Sequence, residues 1–467
     1  MDPQPSVAAV IEWPEAPVTL GLVSHTLTYL SVATESRLSG TLSNDASASW
    51  GRILQWQSYD HMNHDLTLAH PSKVLSSSYT IRKALIRKHY LSRCVSAYLT
   101  KHSGDSPLKS GTPRTWEVEI SWSDEIDDKW TDELWDLGMV LDENREREPE
   151  DRRWFILKPG MADRGNGIRI FDSKDALQNI FEEWDENDDD EDEADDDQED
   201  DSGTGIVTSQ LRHFVVQQYI STPLLLDPTE RPIFPFLDTK CASITLPHLR
   251  LIHITREFHL RAYVLARGAL RVYLYTNILA LFSSAPYGPP SSTADQEGNV
   301  DLTPHLTNTC LQPDHSEEHV RTLDELVGCT VLGASEEETL SKEDVESIKA
   351  RMGDIVAEVF KAALENPVHF QPLPNAFELF GVDFLLSHPP PSASPSSSCP
   401  YTVSLLELNA EPAIEMTGKR LYWLLHGLFT GIGEVAVRPW LEGHEAEEDR
   451  KKWCMRKVLD VQVRGGW

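Results

Sequence analysis

Apolar positions recur along this chain with two different periods, and the switches between them mark out its elements. Alternation, the signature of a half-buried strand, runs through "TWEVEISW", "REFHLRAYVLA" and "ALRVYLYTN". The last two, joined by Arg267 and Gly268, predict neighbouring antiparallel strands. "WFILKPG" and "GIRIF" predict two strands around a glycine loop, and "HFVVQQYI" a third that "STPLLLDP" closes with turn chemistry. "FELFGVDFLLS" and "YTVSLLELNAEPAI" pattern as strand partners, so the proline- and serine-rich "HPPPSASPSSSCP" between them reads as a flexible surface loop. "SSAPYGPPSSTADQEG" reads as another loop.

Helical spacing appears in three places. Tyr79 to Lys101 carries apolar residues at that period with basic residues between them, and predicts one surface-packed helix. "DALQNIFEEW" predicts a short helix. From Ser341 to Glu365, Ile348, Met352, Ile355, Val359 and Phe360 form one stripe, with Ser341 as cap and Asp344 three residues on. These elements give an α+β protein whose antiparallel sheets carry the best motifs. The divisions expected are an N-terminal α/β unit over 1–115, a central lobe over 116–222, a C-terminal lobe over 223–440 with flexible loops at 283–300 and 387–400, and a tail over 441–467.

Charge changes this picture at one point. The formal net charge is −33, and "EEWDENDDDEDEADDDQEDD" holds sixteen carboxylates, leaving −17 for the rest of the 467 residues. Such a run repels itself and buries little, so a disordered surface insertion over 182–204 is expected, with docking of a basic partner as the sharper alternative. No basic stripe is available to neutralise phosphates, which argues against direct nucleic-acid binding. The six cysteines lack paired spacing and read as free thiols in a reducing compartment. The N-terminus has no signal-peptide layout, and no apolar run reaches the length of a membrane span. A soluble cytoplasmic protein is the expectation.

The glycine loop is the first candidate for chemistry. In "ILKPGMADRGNGI", Lys158 ends a strand, and Gly165 and Gly167 follow in a loop. Glycines permit positive φ and let amide groups approach an anion. A P-loop needs its lysine after the glycines, a dinucleotide fingerprint needs a helix after them, and kinases place the loop upstream of the lysine. None of these orders is met. A strand, a lysine, a flexible loop and a strand remain, the layout of ATP-grasp folds, with a plain β-hairpin as the alternative.

The paired strands add acids. Asp383 sits in an apolar strand, while Glu407 and Asn409, two apart, share one face of theirs and Leu406 and Leu408 take the other. Converging oxygens of this kind suit Mg2+, which takes one or two carboxylates and leaves its other positions to water and phosphates. Satisfied polar groups at a strand edge are the alternative. Tyr219 in "VVQQYI" suits an adenine ring, and Arg261 is a fixed cation on an apolar strand, suited to a phosphoryl group. "PHLTN", ending at Asn308, adds polar side chains or a capped turn.

Taken in order, "ILKPGMADRGNGI", "VVQQYISTPLLL", "REFHLRAYVLA", "VYLYTN", "PHLTN", "FELFGVDFLL" and "LLELNAEPAI" resemble the tubulin–tyrosine ligase family of ATP-grasp ligases. They cover roughly residues 110 to 430, and "IRKALIRKHYLSRCV" extends a weaker likeness towards the N-terminus. The resemblance implies ligation of an amino acid to a protein acceptor, tubulin-like, through an acyl phosphate made with ATP and Mg2+. It implies that Lys158 holds the α/β-phosphates under the Gly165–Gly167 loop, and that Gln217, Gln218, Tyr219 and Ile220 line the adenine hinge. Arg261 would stabilise the transferring phosphoryl group, Thr307 and Asn308 would sit near the triphosphate, and Asp383, Glu407 and Asn409 would hold magnesium. The chain departs from the family at Gln218, Glu257, His259 and Thr276, where a lysine, a lysine, an aspartate and an arginine are usual. A catalytically divergent scaffold or assembly factor is therefore the second reading, since some fungal proteins with this domain are linked to mRNA-decay bodies.

Overall fold

The computed structural model describes residues 7–32, 37–38, 51–102, 104–161, 165–191, 212–231, 255–293, 300–307, 319–332, 338–390, 399–443 and 450–463. The N-terminal part is a parallel four-stranded sheet of β1 (Val7–Glu12), β2 (Arg37–Leu38), β3 (Arg52–Gln57) and β4 (Val74–Ser76), in the order β2-β1-β3-β4. A second, antiparallel sheet contains β5 (Thr115–Glu119), β6 (Phe155–Pro159), β7 (Arg169–Phe171) and β8 (His213–Gln218), in the order β5-β8-β6-β7. Alternation divides this sheet's faces. Phe155, Leu157, Phe214 and Val216 pack on Leu137, Leu141, Leu177, Phe181 and Trp184, while Ile156, Lys158 and Gln217 face a cleft.

The third sheet has eight strands. In chain order they are β9 (Leu225–Leu226), β10 (Arg256–Arg267), β11 (Arg271–Tyr275), β12 (Leu279–Phe282) and β13 (Val320–Thr322), followed, after a separate two-stranded ribbon of β14 (Thr330–Val331) and β15 (Glu338–Thr339), by β16 (Phe377–Ser387), β17 (Thr402–Ala410) and β18 (Met455–Asp460). The long β10 organises it. One edge pairs with β16 from His259 to Arg267, and the other pairs first with β12 and then with β11. Leu260, Ala262, Val264, Val382 and Phe384 point to one side, where the helix Lys342–Leu364 covers them with Ile348, Met352, Ile355 and Phe360. Ser341 and Asp344 form the expected reciprocal cap on that helix. On the other side, Tyr263, Leu265 and Tyr273 lie under the helices Pro17–Tyr29 and Tyr422–Ile432, which leaves the start of β10 facing the cleft.

Four expectations are corrected. The helix over Tyr79–Lys101 is two, Lys83–Ile86 and Lys88–Lys101, because Arg87 is extended (φ −104°, ψ 119°), and the second helix starts against Gly160. The helix entered at "DALQNIFEEW" runs on through Glu191, so the acidic run is not disordered from Glu182. Leu177, Phe181 and Trp184 bury one face and carry the helix into the acids; residues 192–211 lie outside the described set. Residues 441–467 are not simply a tail, because β18 pairs with β11 as an edge strand of the large sheet. Finally, Leu406 does not share the buried face of Leu408. Glu407 pairs with Asp383 but Leu405 pairs with Phe384, so a β-bulge at Leu406 turns that side chain to the cleft.

Candidate functional site

Cross-strand register builds the centre of the site. Arg261 on β10 lies opposite Asp383 on β16, and Asp383 lies opposite Glu407 on β17. Directly opposed residues share a face, so a cation and two acids stand in a row across three strands. Arg261 grips Asp383 with both Nε and Nη2, the latter at 2.8 Å. Asn409 Nδ2 donates to Asp383 Oδ2 at 3.1 Å and to Glu407 Oε1 at 3.2 Å. The bulge beside Glu407 fixes where this row ends.

Two lysines reach the row from outside the large sheet. Lys158, at the end of β6, is only 7% exposed and lines a cavity of about 90 Å³ with Asp383 and Glu407. Burial pulls its ammonium down to about 8, against the attraction of Glu407 and Asp383. Lys88, the first residue of its helix, places Nζ 3.3 Å from Glu407 Oε2. Burial would raise the Glu407 carboxyl, but Lys88 and Lys158 outweigh it and hold the group well below the usual range. Three cations thus face two carboxylates, an excess of positive charge that suits an anion with several negative oxygens.

Lys88 escaped the sequence reading. Its spacing placed it among basic residues on a helix surface, where a lysine is normally solvated. The signal that could have found it was the likeness carried by "IRKALIRKHYLSRCV". Its position depends on packing at Gly160, whose carbonyl accepts from Lys88 N–H at 3.3 Å. A Cβ at Gly160 would lie 2.5 Å from His89 Nδ1 and 2.8 Å from the His213 carbonyl oxygen. Glycine therefore lets the helix start dock against the strand that carries Lys158.

Of the rest of the predicted set, Gln217, Gln218, Tyr219, Ile220 and Thr307 line the same cavity, together with Glu257, His259 and His305, whereas Gly165 and Gly167 are not among its lining residues. Gln217 Nε2 donates to Thr115 Oγ1 at 3.2 Å, and the Tyr219 hydroxyl is hydrogen-bonded to His305 Nδ1 at 2.9 Å. His259 Nδ1 is hydrogen-bonded to Thr307 Oγ1, and its Nε2 lies 3.6 Å from Asp383 Oδ1. Burial lowers this imidazole to about 4, so it is neutral near pH 7. Gly165 and Gly167 adopt φ of +83° and +69°, the left-handed region that glycine enters without strain. Residues 162–164 between the lysine and these glycines, and Asn308, lie outside the described residues.

Beyond Arg261, Glu407 and Asn409 the cavity passes into a larger cleft of about 820 Å³, walled by Lys83, Arg87 and His369. Among the described residues no three His, Cys, Asp or Glu side chains gather as a metal cluster. The donor set is instead two carboxylates and an amide, hard oxygen ligands few enough to fit magnesium with its retained waters. Arg261 holds both oxygens of Asp383, and Asn409 and Lys88 each hold one oxygen of Glu407, so a bound magnesium would share these oxygens with groups already on them.

The sequence model described as "Tubulin-tyrosine ligase family" matches residues 76–441. The chain belongs to the tubulin–tyrosine ligase family. A "Probable tubulin–tyrosine ligase" of Schizosaccharomyces pombe is 35% identical over 412 residues, which are 87% of this chain and 88% of that protein. "Probable tubulin–tyrosine ligase PBY1" of Saccharomyces cerevisiae is 34% identical over 89% of this chain, which spans only 50% of that longer relative. Among solved structures, the C-terminal domain of Kluyveromyces lactis ("K. lactis") Pby1, described as an ATP-grasp enzyme interacting with the mRNA decapping enzyme Dcp2, matches with a TM-score of 0.62. It is 26% identical, and the match covers 98% of this chain and 100% of that one. The fold is thus ATP-grasp.

Proposed function

We propose that this protein is an ATP- and magnesium-dependent carboxylate–amine ligase that joins an amino acid to a protein acceptor. The observation that carries this reading is the meeting of Lys158 and Lys88, from separate elements, at Glu407 beside Asp383, Asn409 and Arg261. The triphosphate would lie against Lys158 and Lys88 under the Gly165–Gly167 loop, with the base towards Gln217–Ile220. Glu407, Asn409 and Asp383 would hold magnesium, which when bound neutralises phosphate charge. An acceptor carboxylate in the larger cleft would attack the γ-phosphorus, forming an acyl phosphate as the bond to ADP breaks. The amine of the incoming amino acid would then attack the carbonyl carbon, lose a proton and release phosphate. Arg261, steadied by Asp383, would sit beside the phosphoryl group as it moves. The cleft wall carries both signs, Arg82, Lys83, Arg87 and Arg261 against Asp60, Glu407 and Glu411, and Lys83 and Arg87 are the groups that an acidic, tubulin-like acceptor would meet.

Thermal unfolding with and without ATP and magnesium tests the reading, together with ADP release on a panel of amino acids and acceptors. Wild type should melt several degrees higher with both ligands, and Glu407→Gln should lose most of that shift. Unchanged melting of the intact wild type would end the proposal.

A second reading has its own support. The Kluyveromyces lactis relative is described as interacting with a decapping enzyme. Here the nucleotide would set the shape of a binding module for a protein of mRNA decay. Amino-acid transfer that depends on Lys158 would exclude a purely binding role.

A further inference from the structure

One group in the cavity has no structural task. Glu257, on β10, is 5% exposed, and its shielded Oε2 has no hydrogen-bond partner among the described residues. It lines the same cavity as Tyr219, Ile220 and Lys158. Burial pushes its carboxyl well above the usual range, and among the described residues no ion pair offsets the cost of a buried charge, so the site favours the neutral acid. A neutral carboxyl has an O–H to donate as well as an oxygen to accept. A buried polar group left without a partner costs stability, and one that lines a cavity can recover that cost by bonding to a ligand there.

Position along β10 says which part of a ligand arrives there. Arg261, His259 and Glu257 alternate on one face, and Arg261 is the member beside Asp383 and Glu407. Four residues at the rise of a strand put Glu257 roughly 13 Å from Arg261 along β10. Phosphates drawn to Lys158, Lys88 and Arg261 therefore leave the opposite end of a nucleotide, its base, against Glu257 and Tyr219.

We infer that Glu257 reads the adenine, donating its carboxyl O–H to a ring nitrogen of the base. The ring nitrogens are acceptors that an ionised carboxylate would repel and an O–H satisfies. Glutamine keeps a donor of nearly the same shape; leucine keeps the volume and loses it. This inference rests on the nucleotide reading above.

The test is calorimetric binding of ATP, of inorganic tripolyphosphate and of the 1-deaza, 3-deaza and 7-deaza analogues of ATP, each with magnesium, to wild type, Glu257→Gln and Glu257→Leu. Melting of the free proteins is measured alongside, and Glu257→Leu should fold and melt no lower than wild type, because it removes an unsatisfied buried group. The expected result is that Glu257→Leu binds ATP about five- to tenfold more weakly while Glu257→Gln stays within about twofold. Tripolyphosphate affinity should be the same in all three proteins, and one deaza analogue should lose its sensitivity to the leucine change. Equal loss in Glu257→Gln and Glu257→Leu would overturn the inference in favour of an ionised role. Equal sensitivity of ATP and all three analogues would overturn it too, as would an unaltered ATP affinity in Glu257→Leu. Wild type binding neither ATP nor tripolyphosphate would instead remove the nucleotide reading, and this inference with it.

Discussion

Lys88 offers the sharpest check on the electrostatic argument. Its Nζ lies 3.3 Å from Glu407 Oε2, with 16% and 20% of the two side chains exposed. At that distance and an effective dielectric of about 20, the attraction is about 5 kcal/mol before desolvation. Desolvation of both ions removes most of it, and Lys158 still faces Glu407 when Lys88 is gone, so the net coupling should be about 1–2 kcal/mol. The measurement is a double-mutant cycle in urea at pH 7 on wild type, Lys88→Met, Glu407→Gln and the pair. Lys88→Met alone should destabilise by about 1–3 kcal/mol, since it leaves Glu407 short of a partner. The double variant should recover about 1–2 kcal/mol relative to the sum of the singles. Acid unfolding gives the sign independently. Glu407 ionises in the fold below its ordinary value, so its contribution is full above that value and is lost as pH falls through the folded one. Without Lys88 the folded value rises towards the ordinary one, so the acid loss should be smaller and be complete at a higher pH. Additive singles, with coupling under about 0.5 kcal/mol, would show that Lys88 only lies near Glu407 and does not set its charge.

Two further outcomes follow from the same geometry. Gly160→Ala should cost about 1–3 kcal/mol in urea unfolding, because the new methyl meets the His89 ring and the His213 carbonyl; an unaltered midpoint would mean that the helix start at Lys88 is free to shift. Lys158, lowered by burial to about 8, binds fewer protons in the fold than in the unfolded chain between there and its ordinary 10.5. Its contribution to the stability of the free protein should therefore rise with pH across that window, while ATP affinity falls as the ammonium is lost. Lys158→Met, followed from pH 7 to 10 by calorimetry and unfolding, should flatten both trends.

Much of the frame was set by local pattern. Alternation along β10, β16 and β17 named the strands, and the two-residue spacing of Glu407 and Asn409 put them on one face whatever the strand packs against. The stripe from Ile348 to Phe360 and the Ser341–Asp344 cap defined their helix for the same reason: both are relations within a few residues. Order along the chain was also enough to suggest a family, because each of its motifs is a local signature. What lay beyond the sequence were relations between segments far apart. Which acid faces which cation depends on the register of β10, β16 and β17 and on one bulged residue, Leu406, whose side chain alternation assigns to the wrong face. Lys88 and Glu407 are 319 positions apart, and only the docking of a helix start over Gly160 brings them together. Whether the acidic run is ordered at its start was decided by Trp184 and Phe181 finding a core, a contact its own composition does not announce. The proton affinity of Glu257 was likewise a matter of burial, which pushes a shielded carboxyl above the range of an isolated glutamate. Side-chain identity supplies the chemistry; the dielectric and the neighbours that tune it exist only once the chain has closed around them.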